Sequence, residues 1–171
     1  MQTKIKNLLL CLSEAINNNP RFELLNDGGC CVFAAMVAAK LEELGIPVKG
    51  RVLRSAFSWV SSTNAPLNKI HPKKNTLDAW QDNGVSFDHV VLQLEKYTYD
   101  SGGFDARKRW SHFDMYRGWL NVKDLKELAK SRGWNSMFDR KLIPELQKIV
   151  DNVFAEVHHE DNKIPVYAAA A

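Results

Sequence analysis

Asp27-Gly28-Gly29-Cys30-Cys31-Val32-Phe33-Ala34-Ala35-Met36-Val37-Ala38-Ala39-Lys40-Leu41-Glu42-Glu43-Leu44-Gly45 is the stretch from which the rest of the chain is read. Asp27 is a good helix N-cap, the alanines and leucines that follow are strong helix formers, and Gly45 followed by Pro47 marks the stop. At about 100° per residue, Phe33, Ala34, Val37, Leu41 and Leu44 form one apolar stripe with Cys30 near its centre, while Lys40, Glu42 and Glu43 avoid it. Cys30 is therefore expected to point at whatever the helix packs on, and Cys31 to look along its flank.

A cysteine in a first helical turn sits at the positive end of the helix dipole, beside backbone N–H groups that have no partner within the helix. Both features favour thiolate over thiol, and thiolate is the nucleophilic form. Gly28 and Gly29 allow a tight turn before it and leave the sulfur open to a substrate carbonyl. The plainer alternative is that Cys30 is a small core residue, the usual behaviour of a buried cysteine.

The run Gly28-Gly29-Cys30-Cys31-Val32-Phe33-Ala34 resembles the Gly-Gln-Cys-Trp-Val-Phe-Ala signature around the transglutaminase nucleophile. A related Gly-Ser-Cys-Trp-Ala-Phe run occurs in papain-like proteases; its tryptophan selects Cys30, whereas its small-residue spacing could select Cys31. The apolar stripe favours Cys30. This chain departs from both patterns in carrying Cys31 where they carry tryptophan.

Further along, Phe87-Asp88-His89-Val90-Val91-Leu92-Gln93-Leu94-Glu95 reads as a strand, with Val90, Leu92 and Leu94 on one face and His89, Val91 and Gln93 on the other. Lys96 turns it into a second strand, Tyr97-Thr98-Tyr99-Asp100, which ends at Ser101-Gly102-Gly103. In an antiparallel hairpin the start of the first strand lies near the end of the second, which brings His89 to Asp100. Taken singly, His89 is a strand histidine and Asp100 a turn residue capping Gly102. Chain order Cys, His, Asp is similar to that of transglutaminase-like and papain-like proteins, where a strand begins with the catalytic histidine and a following strand supplies the orienting acid or amide. The resemblance covers residues 27–103 and implies Cys30 as nucleophile, His89 as base and Asp100 as orienting acid. Asn26 is a candidate second oxyanion donor beside the N–H of Cys30, although asparagine before a helix equally serves as a turn or cap residue.

The remainder reads as scaffold. A first amphipathic helix over residues 3–17 buries Ile5, Leu8, Leu9, Leu12 and Ile16, and residues 48–57 read as a strand. Residues 60–86 have little periodicity beyond a turn or two of helix at Thr76 to Gln81, and His71 there reads as solvated. Trp110, Phe113, Tyr116 and Trp119 suggest a packed aromatic cluster, with an aromatic wall beside the cleft as the alternative. Asn121 caps a helix from Val122 to Arg132, and a last helix spans Arg140 to Val157. His158-His159-Glu160-Asp161 offers metal ligands, but histidines at a helix C-terminus more often complement its dipole.

The expected fold is α+β, papain-like or transglutaminase-like: N-terminal helices, the Cys30 helix packed on a small antiparallel sheet, and further helices at the C-terminus. One domain is expected over residues 1–167, with 168–171 as a tail. With 45% hydrophobic and 25% charged residues the composition suits a soluble globular protein, and a net charge of +3 is too small to argue for nucleic acid. No stretch approaches the ~20 apolar residues of a membrane span. Three cysteines without a paired framework point to a reducing, cytoplasmic setting. The resemblance implies amide chemistry on a protein or peptide substrate, by hydrolysis or acyl transfer, with no organic cofactor and no metal; no acidic loop argues for calcium. The rival expectation is a catalytically silent binding or scaffold protein on the same fold, engaging a protein partner.

Overall fold

A computed structural model of the chain describes residues 3–26, 28–55, 89–111, 113–115, 119–131 and 138–161. Five α-helices lie among them: α1 (Thr3–Asn17), α2 (Cys30–Glu43), α3 (Ala106–Arg109), α4 (Val122–Ser131) and α5 (Ile143–Asp161). Five strands, β1 (Lys49–Ser55), β2 (His89–Leu94), β3 (Tyr97–Asp100), β4 (Gly103–Phe104) and β5 (Phe113–Met115), form one antiparallel sheet in the order β4-β3-β2-β1-β5. The expected α+β architecture is present. The stretch expected at 60–86, with His71 and the turns at Thr76 to Gln81, lies outside the described residues, as do Tyr116 and Gly133.

The sheet has two different faces because strand side chains alternate. Val52, Val90, Leu92, Leu94 and Tyr99 join the main core with the inner faces of α1, α2, α4 and α5. Leu53, Val91 and Ala106 form a second small cluster under α3, with Trp110 packed against it. His89 is paired with Leu53 across the β1–β2 ladder and therefore shares that second face.

Helix α1 buries the five apolar residues its periodicity selects, together with Ser13. Tyr99, fully buried in β3, donates its hydroxyl to the carbonyl of Leu9 at 2.8 Å and accepts from Ser13 Oγ at 3.0 Å. These bonds tie the strand that ends in Asp100 to the first helix. The helix over 122–131 is capped as its sequence implies: Asp124 N–H donates to Asn121 Oδ1 at 2.8 Å, and Asn121 N–H donates back to Asp124 Oδ2 at 3.1 Å. The last helix is preceded by a 3₁₀ turn, Arg140–Leu142, and buries Leu146, Val150 and Phe154.

The start of α2 corrects the sequence reading. The helix begins at Cys30, not at an Asp27 cap; its N-cap is Gly29, whose position has no side-chain capping bond, and Asp27 lies outside the described residues. Nor is Gly29 there to uncover the sulfur. A Cβ at that position would stand 2.8 Å from the Leu25 carbonyl oxygen and 2.9 Å from the Phe138 ring, so the missing side chain lets the backbone approach both. Gly28 has φ +135°, a conformation other residues rarely adopt.

Candidate active site

Cys30 is the first residue of α2, and the first amide to bond back within the helix is that of Phe33, to Gly29 O at 3.0 Å. The N–H groups of Cys30, Cys31 and Val32 therefore stand ahead of the helical ladder, at the positive end of its dipole. The stretch runs into the main core, and the thiol is covered: Cys30 is 4% exposed. Cys31, expected on the flank, is buried at 0%. The flank of α2 is not solvent here, since Cys31 joins the main core.

His89 opens β2 and Asp100 closes β3, as the hairpin reading requires. The ladder pairs Leu92 with Tyr99 and Leu94 with Tyr97, so Asp100 lies diagonally across from His89 on the α3 face of the sheet. The turn between the strands has two residues, Glu95 and Lys96, with Glu95 at φ +52°, and the Gln93 amide donates to the carbonyls of Glu95 and Tyr97. Nε2 of His89 lies 3.0 Å from Asp100 Oδ2, with the two residues 1% and 2% exposed. A carboxylate can only accept, so Nε2 carries the proton and donates. Nδ1 of His89 has no hydrogen-bond partner of ordinary geometry; with Nε2 held by Asp100, it is the nitrogen left for the Cys30 thiol.

The electrostatics of the three groups fit one another. Hydrogen bonding from the Cys31 thiol lowers the Cys30 pKa most; burial opposes it, and His89 and the Val90 backbone reinforce it, leaving the thiol well below its ordinary value. Burial alone would pull the His89 imidazole down, but its bond to Asp100, the neighbouring Cys30 thiol and the charges of both raise it to about 9. Asp100 is pushed up by burial yet held below the usual carboxylate value by His89, Trp110 and Arg109. The arrangement therefore favours thiolate paired with imidazolium.

Two further residues, Trp110 and Arg109, reach Asp100. Trp110, read as part of a packed aromatic cluster or of an aromatic wall beside the cleft, lays its ring over His89 with centroids 4.4 Å apart and donates Nε1–H to Asp100 Oδ2 at 2.9 Å. Arg109, one residue before it, donates Nη2–H to Asp100 Oδ1. Gly102 N–H also donates to Oδ1, at 2.9 Å, so Asp100 caps the turn and bonds the imidazole at the same time. Of the other aromatics, Trp119 stacks with the Arg51 guanidinium, which lies 3.2 Å from the Trp119 ring centroid, and the side chains of Phe113 and Tyr116 lie outside the described residues. Asn26 accepts at Oδ1 from Ser101 Oγ at 2.9 Å, which ties it to the residue after Asp100. The side chains of His158 to Asp161 lie outside the described residues, and no cluster of three or more metal-ligating side chains occurs among the described ones. No described helix is long and apolar enough to cross a membrane.

Compared with protein-family models, curated proteins and solved structures, the chain matches none.

Proposed function

We propose that this chain is a cysteine hydrolase or acyltransferase of papain-like or transglutaminase-like type, acting on amide bonds of a protein or peptide through Cys30, His89 and Asp100. The observation that carries the reading is the buried His89–Asp100 bond of 3.0 Å, with the second ring nitrogen left to a thiol whose pKa is lowered.

The thiolate of Cys30 attacks the amide carbonyl carbon; a C–S bond forms and the carbonyl π pair moves to oxygen. The oxyanion is held by the N–H of Cys30, with Asn26 as a second donor. The C–N bond breaks, the leaving nitrogen takes the proton from His89 Nδ1, and a thioester remains on Cys30. Water or an amine, losing a proton to His89, then attacks the thioester and expels the Cys30 thiolate. Asp100 accepts from Nε2–H throughout, fixing the tautomer and stabilising the imidazolium. Three free thiols, Cys11, Cys30 and Cys31, suit a reducing compartment, and the mechanism needs no cofactor.

The test is acylation by 4-nitrophenyl acetate followed by peptide mapping. Acetyl on Cys30, absent in Cys30→Ala, with release accelerated by an added amine for a transferase and not for a hydrolase, supports the reading. Acetyl confined to surface amines, at equal levels in both proteins, overturns it. The slight exposure of Cys30 favours a second reading, a catalytically silent relative that binds a protein partner. In that case no thioester forms with any acyl donor.

A further inference from the structure

Asp100 receives four hydrogen bonds, divided between its oxygens. Oδ2 takes His89 Nε2–H and Trp110 Nε1–H; Oδ1 takes Gly102 N–H and Arg109 Nη2–H. The guanidinium is itself fixed, since Nη2 also donates to Gly103 O at 2.9 Å and Nη1 to Phe104 O at 2.6 Å. Asp105, at φ +59°, turns the chain after β4, and the Arg107 amide bonds Thr98 Oγ1 at 2.9 Å. This folds α3 back onto the face that carries Asp100. Arg109 remains 40% exposed at its side chain, while the carboxylate it grips is 1% exposed.

We infer that Arg109 is a positioning residue of the Cys30–His89–Asp100 site: by holding Oδ1 it leaves Oδ2 for the imidazole and offsets the carboxylate charge beside it. The inference rests on the catalytic reading above. Its physical content is a limit on how strongly Asp100 retains the imidazolium proton. A buried carboxylate with no counter-cation would hold that proton too tightly for His89 to return it to a leaving group. A guanidinium on the far oxygen draws off part of that charge and repels the imidazolium. Among the described residues, the titratable groups acting on His89 and Asp100 are Cys30 from α2, with Cys31 beside it, Tyr99 from β3 and Arg109 from α3.

The experiment follows two titrations in the full chain: the thiolate absorbance of Cys30, taken as the difference from Cys30→Ala, and the His89 ring proton resonance. Arg109→Met should move the His89 midpoint upward by about half a pH unit or more and leave the Cys30 midpoint within a few tenths, because Arg109 acts through Asp100. Arg109→Lys, which retains the charge, should restore the His89 midpoint. A folded Arg109→Met with an unmoved His89 midpoint, or a lysine variant displaced as far as the methionine one, overturns the inference. Should methionine prevent folding, Arg109→Gln gives the same reading, since it is neutral but can still donate to Oδ1. A wild-type His89 that titrates at its ordinary value sinks the catalytic reading itself; a raised wild-type midpoint indifferent to residue 109 sinks only the role of Arg109.

Discussion

The chemistry expected of Cys30 depends on the neighbour that replaces the tryptophan of the resembled families. Cys31 is buried beside it, and its thiol is the largest influence lowering the Cys30 pKa. Cys30→Ala should therefore abolish thioester formation. Cys31→Ala should keep the reaction but move the acid limb of its pH profile towards alkaline values. An identical acid limb in Cys31→Ala would remove that thiol from the site. Asp100→Asn should still cap Gly102 through Oδ1, so the protein folds, but turnover should fall by about 10² to 10⁴ because the tautomer is no longer held. Activity within a few-fold of wild type would reduce the site to a Cys–His pair. On the proposed chemistry the alkaline limb should follow His89: with its pKa raised to about 9, the proton for the leaving amine should be present at neutral pH and lost as pH rises through that value.

At the scale of elements, the chain shows its site through element ends. Cys30 opens a helix, His89 opens a strand and Asp100 closes the next, and each end carries a local signal: glycines before the helix, alternation in the strand, Ser101-Gly102-Gly103 after the hairpin. Residues that act through a return of the chain carry no such signal. Arg109 and Trp110 reach Asp100 because β4 is two residues long and Asp105 adopts a left-handed conformation. In sequence they read as a basic and aromatic run. The pair Gly102-Gly103 followed by Asp105 was the legible hint of a reversal, since these residues tolerate positive φ. The pairing of β1 with β5 was hidden for the same reason, a three-residue strand being too short to show alternation. Two substitutions probe how the elements hold the site. Gly29→Ala would push a Cβ against Leu25 and Phe138 and should cost about 1–3 kcal/mol in urea denaturation. Tyr99→Phe removes the donor to Leu9 O and a partner of Ser13, and should cost about 1–2 kcal/mol. Unchanged midpoints in either variant would contradict the packing described.

Across the described residues, one core joins α2, β2 and β3, the elements that carry Cys30, His89 and Asp100. Polar pairs tie α5 to its neighbours from outside: Arg21 and Asn19, in the turn after α1, bind Glu145, and Lys40 of α2 pairs with Asp151 at 2.9 Å. These exposed pairs contribute little each, about 1 kcal/mol or less. Most of the holding comes from apolar contacts shared by α1, α2, α4, α5 and β2. The lowered thiol pKa requires α2 and the hairpin to be docked together, so loss of thiolate absorbance should coincide with loss of helical circular dichroism in urea. Separate transitions would mean that the site forms and breaks apart from the core. The most direct test of the central claim is the thiolate absorbance of the native chain against pH, with Cys30→Ala subtracted. A Cys30 paired with His89 should titrate with its midpoint well below that of an ordinary thiol. A midpoint at the value of an ordinary thiol, about 8.5, would contradict the thiolate–imidazolium pair and with it the proposed chemistry.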